Sequence, residues 1–181
     1  MRSGKLPAAV LSRRAINFLG ALGCALLLAY AYYSQFHYGI EPCPLCIFQR
    51  VTLAVLGAVF LIAAIHDARA WGRHVYASLI GVASLATIGL AARHLYIQSL
   101  PPGSVPSCGA PLEVMLQFTP FFEVVRKVLH GGGECSEINW TFLGLSMPGW
   151  VLICALALGA LGVWANAVRT EPDRDGFGVS A

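Results

Sequence analysis

Charge is what this chain most lacks. Only 12% of its 181 residues are charged, about half the ~25% usual in soluble domains, whereas 57% are hydrophobic. So few charges cannot cover the surface of a soluble globule of this size, and the excess apolar residues need lipid or a partner. The same hydrophobicity excludes disorder. A net charge of +3 is small, and the 12 Lys and Arg form no stripe, which argues against a nucleic-acid binder. The chain also has no internal repeat, no G-x-G-x-x-G, no P-loop and no haem C-x-x-C-H. What it has instead is long apolar runs and six cysteines.

A membrane-spanning helix needs ~20 mostly apolar residues. Four stretches meet or approach that length: 15–36, 47–65, 75–95 and 150–168. Small residues within them, such as Gly20, Gly57, Ser84 and Gly159, let helices approach closely. The expected architecture is therefore an all-α membrane protein, a four-transmembrane-helix bundle over 15–168 between tails 1–14 and 169–181. The first run resembles a secretory signal, with Ala29-Tyr30-Ala31 as a cleavage pattern, but it is long for one and continues through Tyr32, Tyr33 and Phe36, so it reads as a span. A shorter apolar segment, Pro111 to Leu129, reads as a helix interrupted near Pro120 that lies in the interface or caps the bundle.

Orientation follows from where the cations fall. Arg2, Lys5, Arg13, Arg14, Arg69, Arg73, Arg169 and Arg174 flank the spans on one side. The loop 37–46 has no Lys or Arg, and the long loop 96–149 has only Arg126 and Lys127 against Glu113, Glu123, Glu134 and Glu137. Both termini are thus expected to be cytoplasmic and both of these loops to lie on the other side, which is periplasmic and oxidising in a bacterial-type inner membrane.

That topology divides the cysteines. Cys24 and Cys154 fall inside spans and read as small buried packing residues. Cys43, Cys46, Cys108 and Cys135 all fall on the oxidising side, where disulfides persist. Cys43-Pro44-Leu45-Cys46 opens the second span, so a Cys46 thiolate would be stabilised by helix amides and dipole. Arg50, four residues on, shares a helix face with Cys46, and a cation this near hydrocarbon needs a partner, a chemical role or a route to the interface. Cys108 lies in a Pro/Gly/Ser-rich stretch and Cys135 follows three glycines, flanks suited to a disulfide that must exchange with another protein. His94, near the end of the third span, is either an interface residue or, at the depth of Arg50, part of one small-molecule site with it. Two dithiols and a cation at a membrane boundary suit electron transfer from thiols to an acceptor dissolved in lipid. The alternatives are a four-cysteine zinc site, disfavoured because thiolates in an oxidising compartment pair with each other, and inert structural bridges.

The chain resembles the DsbB family of membrane disulfide-bond-formation proteins. The resemblance rests on Cys43-Pro44-Leu45-Cys46 with Ile47-Phe48-Gln49-Arg50, on His94 and Cys108, and on Gly133-Glu134-Cys135 through Trp140, Phe142-Leu143-Gly144-Leu145, Met147-Pro148 and Trp150. It implies a thiol:quinone oxidoreductase with disulfides Cys43-Cys46 and Cys108-Cys135. A periplasmic DsbA-like oxidase would attack Cys108, and electrons would pass through Cys43 and Cys46 to ubiquinone or menaquinone. Arg50 would polarise a quinone oxygen, with His94 near the ring. Many family members have an acidic residue where Gln49 stands here, which puts a carboxylate beside the quinone in doubt.

Overall fold

The computed structural model describes residues 12–68, 70–101 and 112–168. Within them lie four helices long and apolar enough to cross a membrane: α1 (Arg13–Tyr38), α2 (Pro44–His66), α3 (Trp71–Gln98) and the span Met147–Val168. The two segments α4 (Leu112–Phe118) and α5 (Phe121–His130) separate α3 from that last span, whose α-helical part is α6 (Met147–Val163), followed by a π-helical turn over Trp164–Val168. A two-strand antiparallel hairpin, β1 (Thr141–Phe142) with β2 (Leu145–Ser146), precedes α6. Each expected span lies inside one of these helices. The helices extend further because polar end groups start and stop them: Ser12 Oγ accepts the Ala15 amide at 3.2 Å, and Gly39 ends α1 in the left-handed conformation.

Packing runs in the order α1, α2, α3, α6. Its centre is built from Cys24, Leu53, Leu56, Phe60, Ile80 and Ala83, with Leu158 and Val163 of α6 against them. Close approach of α3 and α6 depends on Gly159, where a Cβ would lie 2.7 Å from Ser84 Cβ. The contact of α1 with α6 is sparser. It is tied at one end by a reciprocal pair of buried amides, Asn17 Nδ2 to Asn166 Oδ1 at 3.1 Å and Asn166 Nδ2 to Asn17 Oδ1 at 2.8 Å. Nearby, the Arg13 guanidinium pairs with Asp67 at 3.0 Å, joining the start of α1 to the end of α2.

The expected break at Pro120 is there, and it yields two helices. Val124 and Val128 of α5 bury against Leu45, Ile97, Met115 and Cys135, while Phe121 and Phe122 stay exposed. So α5 caps the bundle end. Arg93 secures it by donating to the terminal carbonyls of Leu129 at 2.8 Å and His130 at 3.1 Å, a cation at a helix C-terminus.

Candidate active site

The C-x-x-C forms the entrance to α2. Cys43 is the capping residue in extended conformation, and Pro44 takes the first helical position, where a missing N–H costs nothing. The Cys46 amide donates to Cys43 Sγ at 3.4 Å, and the two sulfurs, as free thiols, are 3.0 Å apart. The Cys46 amide thus serves Cys43, the cap itself.

Cys135 approaches from the opposite side. It closes a 3-10 turn (Gly133–Cys135) just beyond α5, with its side chain buried in the cap. Its sulfur is within hydrogen-bonding reach of Cys43, and that bond, burial and the charge of a Cys43 thiolate together push the Cys135 thiol above the usual thiol range. Cys43 therefore stands between Cys46 and Cys135. Cys108 lies outside the described residues, and with it the expected Cys108-Cys135 pairing.

His94 belongs to this sulfur cluster. Its ring is buried, with Nε2 3.8 Å from Cys43 Sγ and 3.2 Å from the Cys135 carbonyl oxygen. On the other side, Nδ1 is 3.1 Å from Gln49 Nε2. Gln49, left without a role by the sequence reading, thus contacts the histidine.

Cys46 and Arg50 share a separate feature, a cavity of about 420 Å³ between α1, the start of α2, the hairpin and α6. Its walls are mostly apolar: Leu27, Leu28, Leu53, Met147, Val151 and others, with Trp140 and Phe142 of the hairpin region. Tyr30 packs edge-on against Trp140 at 5.8 Å, and Trp150 Nε1 donates to the Phe142 carbonyl at 3.0 Å, so aromatic contacts fix that wall. Arg50 projects here, held by Gln35 Oε1 at 2.5 Å, the Ala31 carbonyl at 3.1 Å and the Tyr32 ring at 4.9 Å. Ser34, almost fully buried, also lines the cavity, and its hydroxyl has no hydrogen-bond partner among the described residues.

The structure thus joins Cys46 with Arg50, as the helical spacing required, and joins Cys43, Cys135 and His94. His94 stands behind the cavity wall, in contact with Gln49, which lines it, and within 4.8 Å of the Cys46 sulfur, which lines it too. Cys154 is placed differently from its expected packing role, since it is only half-buried and lines the cavity. Ser34 and Gln35 escaped the sequence reading. Their signal was there, two polar residues inside an apolar span at the depth of Arg50.

Comparison with known proteins shows the family. The sequence profile described as "Disulfide bond formation protein DsbB" matches residues 13–165. A "Disulfide bond formation protein B" from Nitrosococcus oceani is 49% identical over 154 residues, 85% of this chain and 91% of the relative. The protein of the same description from Hahella chejuensis is 48% identical over 162 residues, 90% and 97% of the two chains, and that from Methylococcus capsulatus 46% over 160 residues, 87% and 98%. With four membrane-spanning helices and paired thiols at their boundary, the chain belongs to the DsbB family of membrane disulfide-forming oxidoreductases.

Proposed function

We propose that the chain reoxidises a periplasmic DsbA-like dithiol oxidase and delivers the two electrons to a membrane quinone, ubiquinone or menaquinone. The observation that carries this reading is the cavity that sets Cys46 and Arg50 at one wall while Cys43 and Cys135 stand directly behind. The residues suit a quinone ring. The walls are apolar, the volume accommodates a ring with part of its tail, and Arg50 and the unpartnered Ser34 hydroxyl are donors for ring oxygens. Bound there, a quinone supplies the sink that accepts two electrons and two protons.

The chain's own steps are thiol exchanges. A donor thiolate attacks Cys108, breaking Cys108-Cys135 and releasing Cys135 as a thiolate. The donor's second thiol then attacks the mixed disulfide, leaves oxidised, and frees Cys108. Cys135 attacks Cys43, forming Cys43-Cys135 and expelling Cys46 as a thiolate at the cavity wall. The electron pair on Cys46 faces Arg50, whose positive charge favours charge building on an acceptor oxygen. Attack of Cys108 on Cys135 would break Cys43-Cys135, restore Cys108-Cys135 and free Cys43, and Cys43-Cys46 would re-form as the pair's two electrons and two protons pass to the quinone, the two donor thiols having become one disulfide. The proposed orientation has both termini cytoplasmic in the bacterial inner membrane, the donor approaching the periplasmic loops 37–46 and 96–149.

A rival reading, zinc on Cys43, Cys46 and His94, has a specific observation behind it, since their ligand atoms lie within 4.8 Å of one another. It needs the Nε2 lone pair, and that nitrogen faces a carbonyl, which favours N–H there. The deciding experiment is quinone reduction by a reduced DsbA-like donor in membrane vesicles. Cys46→Ser is expected to abolish turnover while still trapping the donor on Cys108, and Cys108→Ser to lose that mixed disulfide. Undiminished turnover in Cys46→Ser removes the proposal.

A further inference from the structure

Two contacts of the His94 ring bear on its tautomer. Nε2 lies 3.2 Å from the Cys135 carbonyl oxygen, which only accepts, so this nitrogen carries the hydrogen. Nδ1 lies 3.1 Å from Gln49 Nε2, and that same amide nitrogen is 3.5 Å from the Leu90 carbonyl oxygen. Turning the amide over would set Oε1 against a carbonyl, lone pair to lone pair, so the NH2 group faces both neighbours and donates to Nδ1. A neutral imidazole carries one N–H, and the two constraints agree on where it is.

This assignment decides what the ring can do. Its one lone pair, on Nδ1, is occupied by Gln49 and directed away from the sulfurs. The ring so held is a donor and takes no proton from Cys43 or Cys135. Its N–H is directed at the backbone of the turn that carries Cys135, with Cys43 Sγ 3.8 Å from the same nitrogen. Within itself the turn is closed by short-range bonds, Cys135 amide to Gly132 carbonyl and Ser136 amide to Gly133 carbonyl, while the Cys135 sulfur is within reach of the Leu45 backbone and of Cys43.

We propose that Gln49 and His94 form a positioning pair: Gln49 holds the ring in the Nε2–H form, and His94 uses that hydrogen to keep the Cys135 turn seated beside Cys43. The inference rests on the exchange between Cys135 and Cys43 read above, and gives His94 a part in that exchange.

The test is an equilibrium one and uses no quinone. In full-length protein carrying Cys46→Ser and Cys108→Ser, Cys43 and Cys135 are the two remaining loop thiols. Oxidised glutathione converts them to one disulfide with release of two reduced glutathiones, and the ratio at equilibrium gives their effective concentration. His94→Ala is expected to lower it roughly tenfold, the effect of losing one buried hydrogen bond. His94→Gln, whose amide keeps an N–H near the position of Nε2, should recover most of it. A histidine acting only as a base changes the rate of exchange and leaves this equilibrium untouched. A second readout, the nitrogen-15 spectrum of the His94 ring in the unsubstituted protein, should show Nε2 protonated and Nδ1 bare. Equal effective concentrations in parent and His94→Ala, or a protonated Nδ1, overturn the inference while leaving the proposed function standing. Failure of Cys43-Cys135 to form in the parent overturns both.

Discussion

Arg50 is partnered by neutral groups: an amide oxygen, a backbone carbonyl and a tyrosine ring. They engage two of its five N–H groups without cancelling its charge, which leaves donors and charge for whatever occupies the cavity. Ser34 complements it with a hydroxyl that no neighbour among the described residues engages. An unmade buried hydrogen bond contributes nothing to stability, so Ser34→Ala should leave the thermal midpoint unchanged or slightly raised. If the hydroxyl meets a quinone oxygen, the same change weakens apparent quinone affinity roughly three- to tenfold. Titration of quinone into detergent-solubilised protein measures it, and unchanged affinity removes Ser34 from the ligand's contacts. At this scale the sequence was legible where periodicity applies. A spacing of four residues on a helix is enough to set Arg50 beside Cys46. It was less legible for His94, because depth in the membrane and direction around the helix are separate quantities, and the ring's contacts with Cys43, Gln49 and the Cys135 carbonyl follow from direction.

Among the elements, the hairpin is the one that periodicity could not announce. Its strands are two residues each, too short for any alternation, and only Leu143 and Gly144, with φ of 51° and 79°, mark the turn. Yet this hairpin region supplies an aromatic wall of the cavity. The break between α4 and α5, by contrast, is written in Pro120. Gly131, which ends α5, has φ +82° with an extended ψ, and a Cβ there would overlap Ile97 of α3. Gly131→Ala is expected to cost about 1–3 kcal/mol locally. Because α5 and the Cys135 turn form a cap on the bundle, that cost should be met by detachment of the cap with the spans intact. Alkylation of Cys135 should then accelerate at least several-fold while helix content is unchanged. An unaltered alkylation rate would show that Ile97 yields to the added methyl.

The molecule as a whole is a bundle with one weak seam. α1 contacts α6 sparsely, and this opening is where the cavity lies, between the second half of α1 and the start of α6. The first half of α1 is closed against Trp164–Val168 by Asn17 and Asn166. Composition alone located four spans and sorted their charges, but it could not say which helices would be neighbours or where two would part, since all four runs are apolar around most of their surface. The amide pair sits roughly 25 Å along α1 from Ser34, at ~1.5 Å per residue, so it governs the seam without touching the site. Asn17→Leu alone leaves Asn166 with an unmet Oδ1 acceptor and one unmet N–H in a buried position, although Nδ2 keeps its bond to the Gly162 carbonyl at 2.8 Å. We expect a loss of about 1–2 kcal/mol, at the upper end of what interhelical hydrogen bonds contribute in membranes. Asn17→Leu with Asn166→Leu removes both polar groups and should be less destabilised than the sum of the single variants. Thermal unfolding in detergent measures the non-additivity. Quinone reduction by each variant that remains folded should stay near that of the parent. A fall in turnover without a fall in stability would mean that the closed end of the seam sets the width of the open one.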